Sequence, residues 1–134
     1  MPITPRQWLE FAERILGDDE AASRSAASRA YYAAFHASIP LSDALPDPPT
    51  PPPIGGMHDR AIRALAHCPI RGSKRDRDKA VRKVGIILGQ ARDIRTKADY
   101  GTGIEFTRVE GQEAIDLGKR AFVLLEQVET MDAA

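Results

Sequence analysis

The stretch Ser28 to Ala37, SRAYYAAFHA, sets Arg29, Tyr32 and His36 among alanines. An imidazole titrating near neutrality can take a proton from a ribose 2′-hydroxyl or return one to a leaving oxygen. A guanidinium can stabilise charge on the phosphate under attack. Together they suit metal-independent RNA cleavage, with Arg29 and His36 acting and Tyr32 orienting the histidine or the substrate. One histidine covers one of the two proton transfers; a two-fold dimer with this segment at its interface supplies both. The plainer reading is structural: Arg29 paired with a carboxylate, Tyr32 on a backbone carbonyl and His36 half-buried.

That chemistry needs the residues on one face. In a helix each residue advances about 100° and 1.5 Å, so Arg29 and His36 lie within about 20° of one another and about 10.5 Å apart along the axis. Tyr32 falls between them, and Ser25 lies one turn earlier. Ala22, Ala26, Ala30, Ala33, Ala34 and Ala37 let neighbouring helices approach, and Tyr31 with Phe35 supplies bulk. The segment therefore reads as a packing helix with one polar line.

Four further elements surround it. Thr4 before Pro5 starts a helix whose apolar spacing is Trp8, Phe11 and Ile15, closed by Gly17. Asp18 or Asp19 caps the alanine-rich helix, which runs to about Ile39, where Pro40 stops it. Leu41 to Gly56, LSDALPDPPTPPPIGG, predicts an extended loop with polyproline character, a simple connection rather than a ligand for a proline-reading domain. Met57, Ala61, Ile62 and Leu65 mark a short helix, left through Pro69 to Ser73. Asp76 to about Ala98 is the longest, with Val81, Val84, Leu88, Ala91 and Ile94 or Arg95 along one face. Thr107 and Glu110 form a capping box ahead of Ala114, Leu117, Ala121, Leu124 and Val128. The expected fold is all-α: a single domain over 1–134, an antiparallel up-down bundle of four long helices and one short one.

A second constellation is electrostatic. Between Arg71 and Lys83 there are seven basic residues against two acidic ones. Lys74, Arg75, Arg77, Arg82 and Lys83 form a candidate strip for RNA phosphates; a solvated helix start knitted by Asp76 and Asp78 is the alternative. No aromatic residue interleaves it, so base stacking is not expected there. Arg95 and Asp99, at i,i+4 in RTKADY, suit a structural salt bridge, with Tyr100 anchoring the turn. His58 and His67 read as exposed or capping residues. No metal site and no cofactor is expected, and Gly101 and Gly103 do not follow a strand as a phosphate loop would.

Nineteen acidic residues balance nineteen basic ones, so net charge alone names no partner. The single cysteine, Cys68, excludes an internal disulfide framework and suits a reducing compartment. Charges interrupt the apolar residues of the N-terminal stretch, unlike a signal peptide, and no apolar run nears the ~20 residues that span a bilayer. The expectation is a soluble cytoplasmic protein.

Two stretches, SRAYYAAFHA and ARDIRTKADYG, with His58 shortly after the intervening loop, together resemble the HEPN domain family of small prokaryotic helical proteins. The resemblance runs from about Trp8 to Val128. It implies a four- or five-helix bundle, commonly dimeric, from toxin-antitoxin and other defence systems. Many members are metal-independent ribonucleases whose arginine and histidine, four to six residues between them, meet across the dimer interface. Arg29 and His36 enclose six. The resemblance leaves a second option open: a catalytically inactive module that binds a partner protein, such as an antitoxin or a nucleotidyltransferase, or a nucleotide.

Overall fold

Capping chemistry starts the helices. Thr4 Oγ1 accepts from the Gln7 amide at 3.2 Å, while the Gln7 side chain accepts from the Thr4 amide at 2.8 Å. That reciprocal pair opens α1, Pro5–Ile15. Asp19 accepts from the Ala21 amide and opens α2, Glu20–Asp43. After α3, Met57–Ala66, a 3-10 turn over Gly72–Lys74 feeds α4, Arg75–Tyr100. Thr107 and Glu110 close the expected box at the head of α5, Arg108–Ala133. The structure, a computed structural model, describes residues 2–48 and 56–134, and no strand occurs among them. No helix among the described residues is long and apolar enough to cross a membrane.

Among the described residues three helices are long and two are short, not four and one. α1 has 11 residues and α3 has 10, against 24, 26 and 26 for α2, α4 and α5. α2 also runs through Pro40 instead of ending at Ile39. A proline inside a helix loses one hydrogen bond and crowds the carbonyl four residues back. Near the end of α2 that cost is offset. Pro40 faces solvent, Leu41 and Leu45 pack on the core, and buried Ser42 donates to the Ile39 carbonyl at 3.0 Å. The expected 41–56 loop thus begins as helix, and its residues 49–55 lie outside the described residues.

Cross-links between helices give the topology. Arg6 pairs with Glu126, Glu13 with Lys119 and Asp18 with Arg108, so α1 and α5 are antiparallel. Trp8 meets Arg29, so α1 is also antiparallel to α2. Ser28 with Asp99 and Arg24 with the Gly101 carbonyl set α4 antiparallel to α2. Arg77 with Asp132 and Lys97 with Glu110 set it antiparallel to α5. α2 and α5 run parallel: Gly111 backs on Ser23 and Gly118 on Ala30. They form the short diagonal of the bundle, with α1 and α4 at opposite corners and out of contact. α3 lies antiparallel on α4, from Asp59 against Arg92 to Ala66 against Gly85.

Small residues set these distances. A Cβ on Gly118 would lie 3.4 Å from the Ala30 carbonyl oxygen, and one on Gly85 only 2.2 Å from the Ala66 amide nitrogen. The larger core joins Tyr31, Phe35, Leu65, Val81, Val84, Leu88 and Ala121 between α2, α3, α4 and α5. The smaller joins Leu9, Ala12, Ala30, Ile115 and Phe122 between α1, α2 and α5. On α1 the buried residues are Leu9 and Ala12; Trp8, Phe11 and Ile15 flank them half-buried, so the buried stripe is rotated from the expected one. Full burial of a leucine such as Leu9 stabilises by about 2 kcal/mol, enough to fix that rotation.

Candidate functional site

α2 is covered by α1, α5, α4 and α3, and the face left over carries the polar line. Ser25, Arg29, His36 and Pro40 are exposed on it and Tyr32 is half-buried. The predicted alignment of Arg29, Tyr32 and His36 therefore holds, on a solvent-facing surface. Arg29 leans toward α1, its guanidinium 5.2 Å from the Trp8 ring centroid, and has no carboxylate partner among the described residues. Tyr32 leans the other way. Its hydroxyl accepts from Arg95 Nη2 at 2.6 Å, in place of the expected donation to a backbone carbonyl.

Arg95 is the hub on α4. Its guanidinium carbon lies 5.0, 5.9 and 5.5 Å from the ring centroids of Tyr32, Tyr31 and Tyr100. Arg95 Nε is 2.8 Å from Asp99 Oδ2, yet this buried N–H has no hydrogen bond of acceptable geometry. The expected i,i+4 pair is present as charge attraction, with Ser28 Oγ donating to the same carboxylate oxygen at 3.3 Å. Tyr100 is 70 % exposed and so does not anchor the turn. Arg24 does that, donating to the carbonyls of Lys97, Ala98, Gly101 and Ile104 while pairing with Glu20.

His58 is neither exposed nor a cap. It lies in the first turn of α3 with its ring flat on Phe35, centroids 3.9 Å apart and planes 2° from parallel. Its Nδ1 lies 2.8 Å from the Tyr31 hydroxyl. Burial, together with the positive charge of Arg95 and Arg92 and the neighbouring His36, lowers its pKa from the ordinary histidine value. Burial also pushes the Tyr31 phenol up to about 12, so it stays protonated across the working range. His36 stacks near Tyr32, centroids 6.3 Å apart, and lies edge-on to Phe35 at 5.6 Å. Two imidazoles of one chain thus bracket the same aromatic pair. Only His36 was singled out from spacing; His58 gave no helical-periodicity signal, because its partners lie on α2.

The basic strip is divided. Arg77 is held by Asp78 and Asp132, and Arg82 donates to the Cys68 carbonyl at 2.6 Å. Lys74, Arg75 and Lys83 are exposed. Lys83 lies about 120° round the α4 axis from Arg95 and about 18 Å along it, so the strip does not extend the α2 face. Lys83 instead lines a cleft of ≈ 550 Å³ between α4 and α5, with Ile86, Gln90, Arg120 and Val123. No group of three or more possible metal ligands occurs among the described residues. No protein-family model, no curated protein and no solved structure matches the chain.

Proposed function

We propose that the chain is a HEPN-type, metal-independent endoribonuclease that cleaves RNA by 2′-hydroxyl attack. His36 serves as acid or base, Arg29 stabilises the phosphate, and Tyr32 orients the imidazole or the substrate. The observation that carries the reading is the face of α2 on which Arg29 and His36 stand exposed with Tyr32 half-buried between them, not covered by another helix among the described residues. In the HEPN pattern two such faces meet across a two-fold axis and form a composite site. Lys74, Arg75 and Lys83 remain exposed for the RNA backbone beyond the site. The test is cleavage of a labelled RNA by the purified protein in chelator, beside His36→Ala. The expected outcome is cleavage by the parent and a loss of about a hundredfold or more in the variant. Equal cleavage by both, or none by either, sinks the assignment.

A second reading is a catalytically silent HEPN module docked to an antitoxin or a nucleotidyltransferase. It is favoured by the α4–α5 cleft, where Ile86 and Val123 are each more than half exposed between Lys83 and Arg120. On that reading Val123→Glu abolishes the cellular phenotype, and His36→Ala leaves it intact.

A further inference from the structure

Cleavage by 2′-hydroxyl attack needs one group to remove the 2′ proton and another to protonate the departing 5′ oxygen. Building on the ribonuclease reading, we infer that His58 is the second imidazole of this site, acting as base beside His36 as acid within a single chain. The bond formed is between the 2′ oxygen and phosphorus, and the bond broken is between phosphorus and the 5′ oxygen. The 2′ proton goes to His58, the 5′ oxygen takes a proton from His36, and the products are a 2′,3′-cyclic phosphate and a 5′-hydroxyl. Exchange of protons with water resets both rings, so no co-reactant is required.

Geometry carries this assignment. Both rings rest on Phe35, at 3.9 and 5.6 Å, so the imidazoles are no further apart than those two distances together. Both also flank Tyr32, His58 edge-on at 5.7 Å and His36 nearly stacked at 6.3 Å. His58 is fixed in orientation by its parallel stack and by Tyr31 on Nδ1. In the base form Nδ1–H donates to the Tyr31 oxygen, which leaves the lone pair on Nε2 to accept the 2′ proton.

The surroundings of His58 suit that role. Tyr31, Tyr32 and His36 face it from α2, Arg92 and Arg95 from α4, and Asp59 follows it on α3, already paired with Arg92 at 3.0 Å. Burial and the cationic side of this set favour the neutral ring, the form a base needs at neutral pH. A dimer is then compatible with the reaction but does not have to deliver its second proton-transfer group.

The test uses the full chain, a labelled mixed-sequence RNA and chelator. His58→Asn keeps an amide within reach of the Tyr31 hydroxyl but cannot titrate; Tyr31→Phe keeps the imidazole and frees Nδ1. Thermal unfolding confirms that each variant is folded, and Tyr31→Phe carries the test if His58→Asn is not. The expected result is a loss of about a hundredfold or more in kcat for His58→Asn with KM little changed. The acid limb of the pH–rate profile, which lies below the ordinary histidine value in the parent, disappears in His58→Asn and shifts in Tyr31→Phe. Dimers assembled from His36→Ala and His58→Asn chains remain inactive, because each chain lacks one group.

Cleavage by His58→Asn within about threefold of the parent, while His36→Ala is inactive, overturns the inference and leaves the ribonuclease reading standing. An unshifted profile in Tyr31→Phe does the same. Recovery of about half of parental activity in the mixed dimers, one intact site of two, places the two imidazoles on different chains and overturns the single-chain claim. No cleavage by the parent removes both readings.

Discussion

The hydroxyl of Tyr32 accepts a hydrogen bond from Arg95 Nη2 at 2.6 Å, tying the open face of α2 to the last turns of α4. The same guanidinium faces Asp99, so the tyrosine, the arginine and the aspartate form one chain of contacts across two helices. Tyr32→Phe is expected to cost about 1–2 kcal/mol, the worth of a hydrogen bond from a charged donor. Arg95→Ala leaves both the phenol and Asp99 without that partner and is expected to cost about 3 kcal/mol. Urea midpoints of the two single variants and the double measure this. The double should cost less than the sum, because the residues share one interaction.

Arg24 is the keystone of the turn between α4 and α5. Its guanidinium donates to four carbonyls there, and Glu20, which holds it, also accepts from the Phe106 amide at 2.8 Å. Arg24→Lys keeps the charge but not the planar fork of donors. The expected outcome is a loss of about 2 kcal/mol and early proteolysis between Gly101 and Glu105, read by limited digestion.

Asp78 governs acid stability. It is fully buried, and hydrogen bonds from the Arg71 guanidinium, then from the Arg71 amide and Arg77, hold its carboxyl far below the usual range against the opposing effect of burial. The folded state therefore binds the proton more weakly than the unfolded chain does. The stabilisation is complete at neutral pH and is lost progressively as the pH falls below about 5. Asp78→Asn is expected to cost about 3 kcal/mol at pH 7 and to flatten that acid limb. Thermal melts between neutrality and pH 3 check both.

Two glycines of α4 should respond to alanine with opposite signs. At an ordinary helical position the change favours the helix by about 1 kcal/mol. A Cβ on Gly89 would meet only the Ile62 side chain at 3.9 Å, so Gly89→Ala is expected to stabilise. A Cβ on Gly85 would collide with the α3 backbone at Ala66, so Gly85→Ala is expected to destabilise by about 2–3 kcal/mol. Melting temperatures of the two variants decide the matter.

Much of the scaffold was legible in the residues. The cap at Thr4 and the box at Thr107 are local chemistry, and local chemistry can be read along a chain. The alignment of Arg29, Tyr32 and His36 follows from helix geometry alone, and the structure keeps it. Pro40 misleads because its local penalty is outweighed by tertiary burial of Leu41 and Leu45, which no local rule contains. His58 was read as exposed or capping, and Arg24 was missed, for a related reason: their partners are on other elements, Phe35 and Tyr31 for one and the α4–α5 turn for the other. Gly85 looks like a weak point of a helix until α3 is seen against it. Of the basic strip, the charge and the local pairing through Asp78 were legible, but Asp132 on Arg77 and the Cys68 carbonyl on Arg82 were not, since both are distant in sequence.

The arrangement of α2 and α5 on the short diagonal has a consequence for motion. α1 and α4, which flank the open face of α2, never touch each other. The distance between them is a degree of freedom constrained only indirectly, through the helices each packs on. Tilting α1 alters the space above Arg29 and Tyr32 without breaking any α1–α4 contact. The single tryptophan of the chain, Trp8, sits on the α1 side of that space against Arg29. Its intrinsic fluorescence is thus a built-in gauge of how widely the face is open.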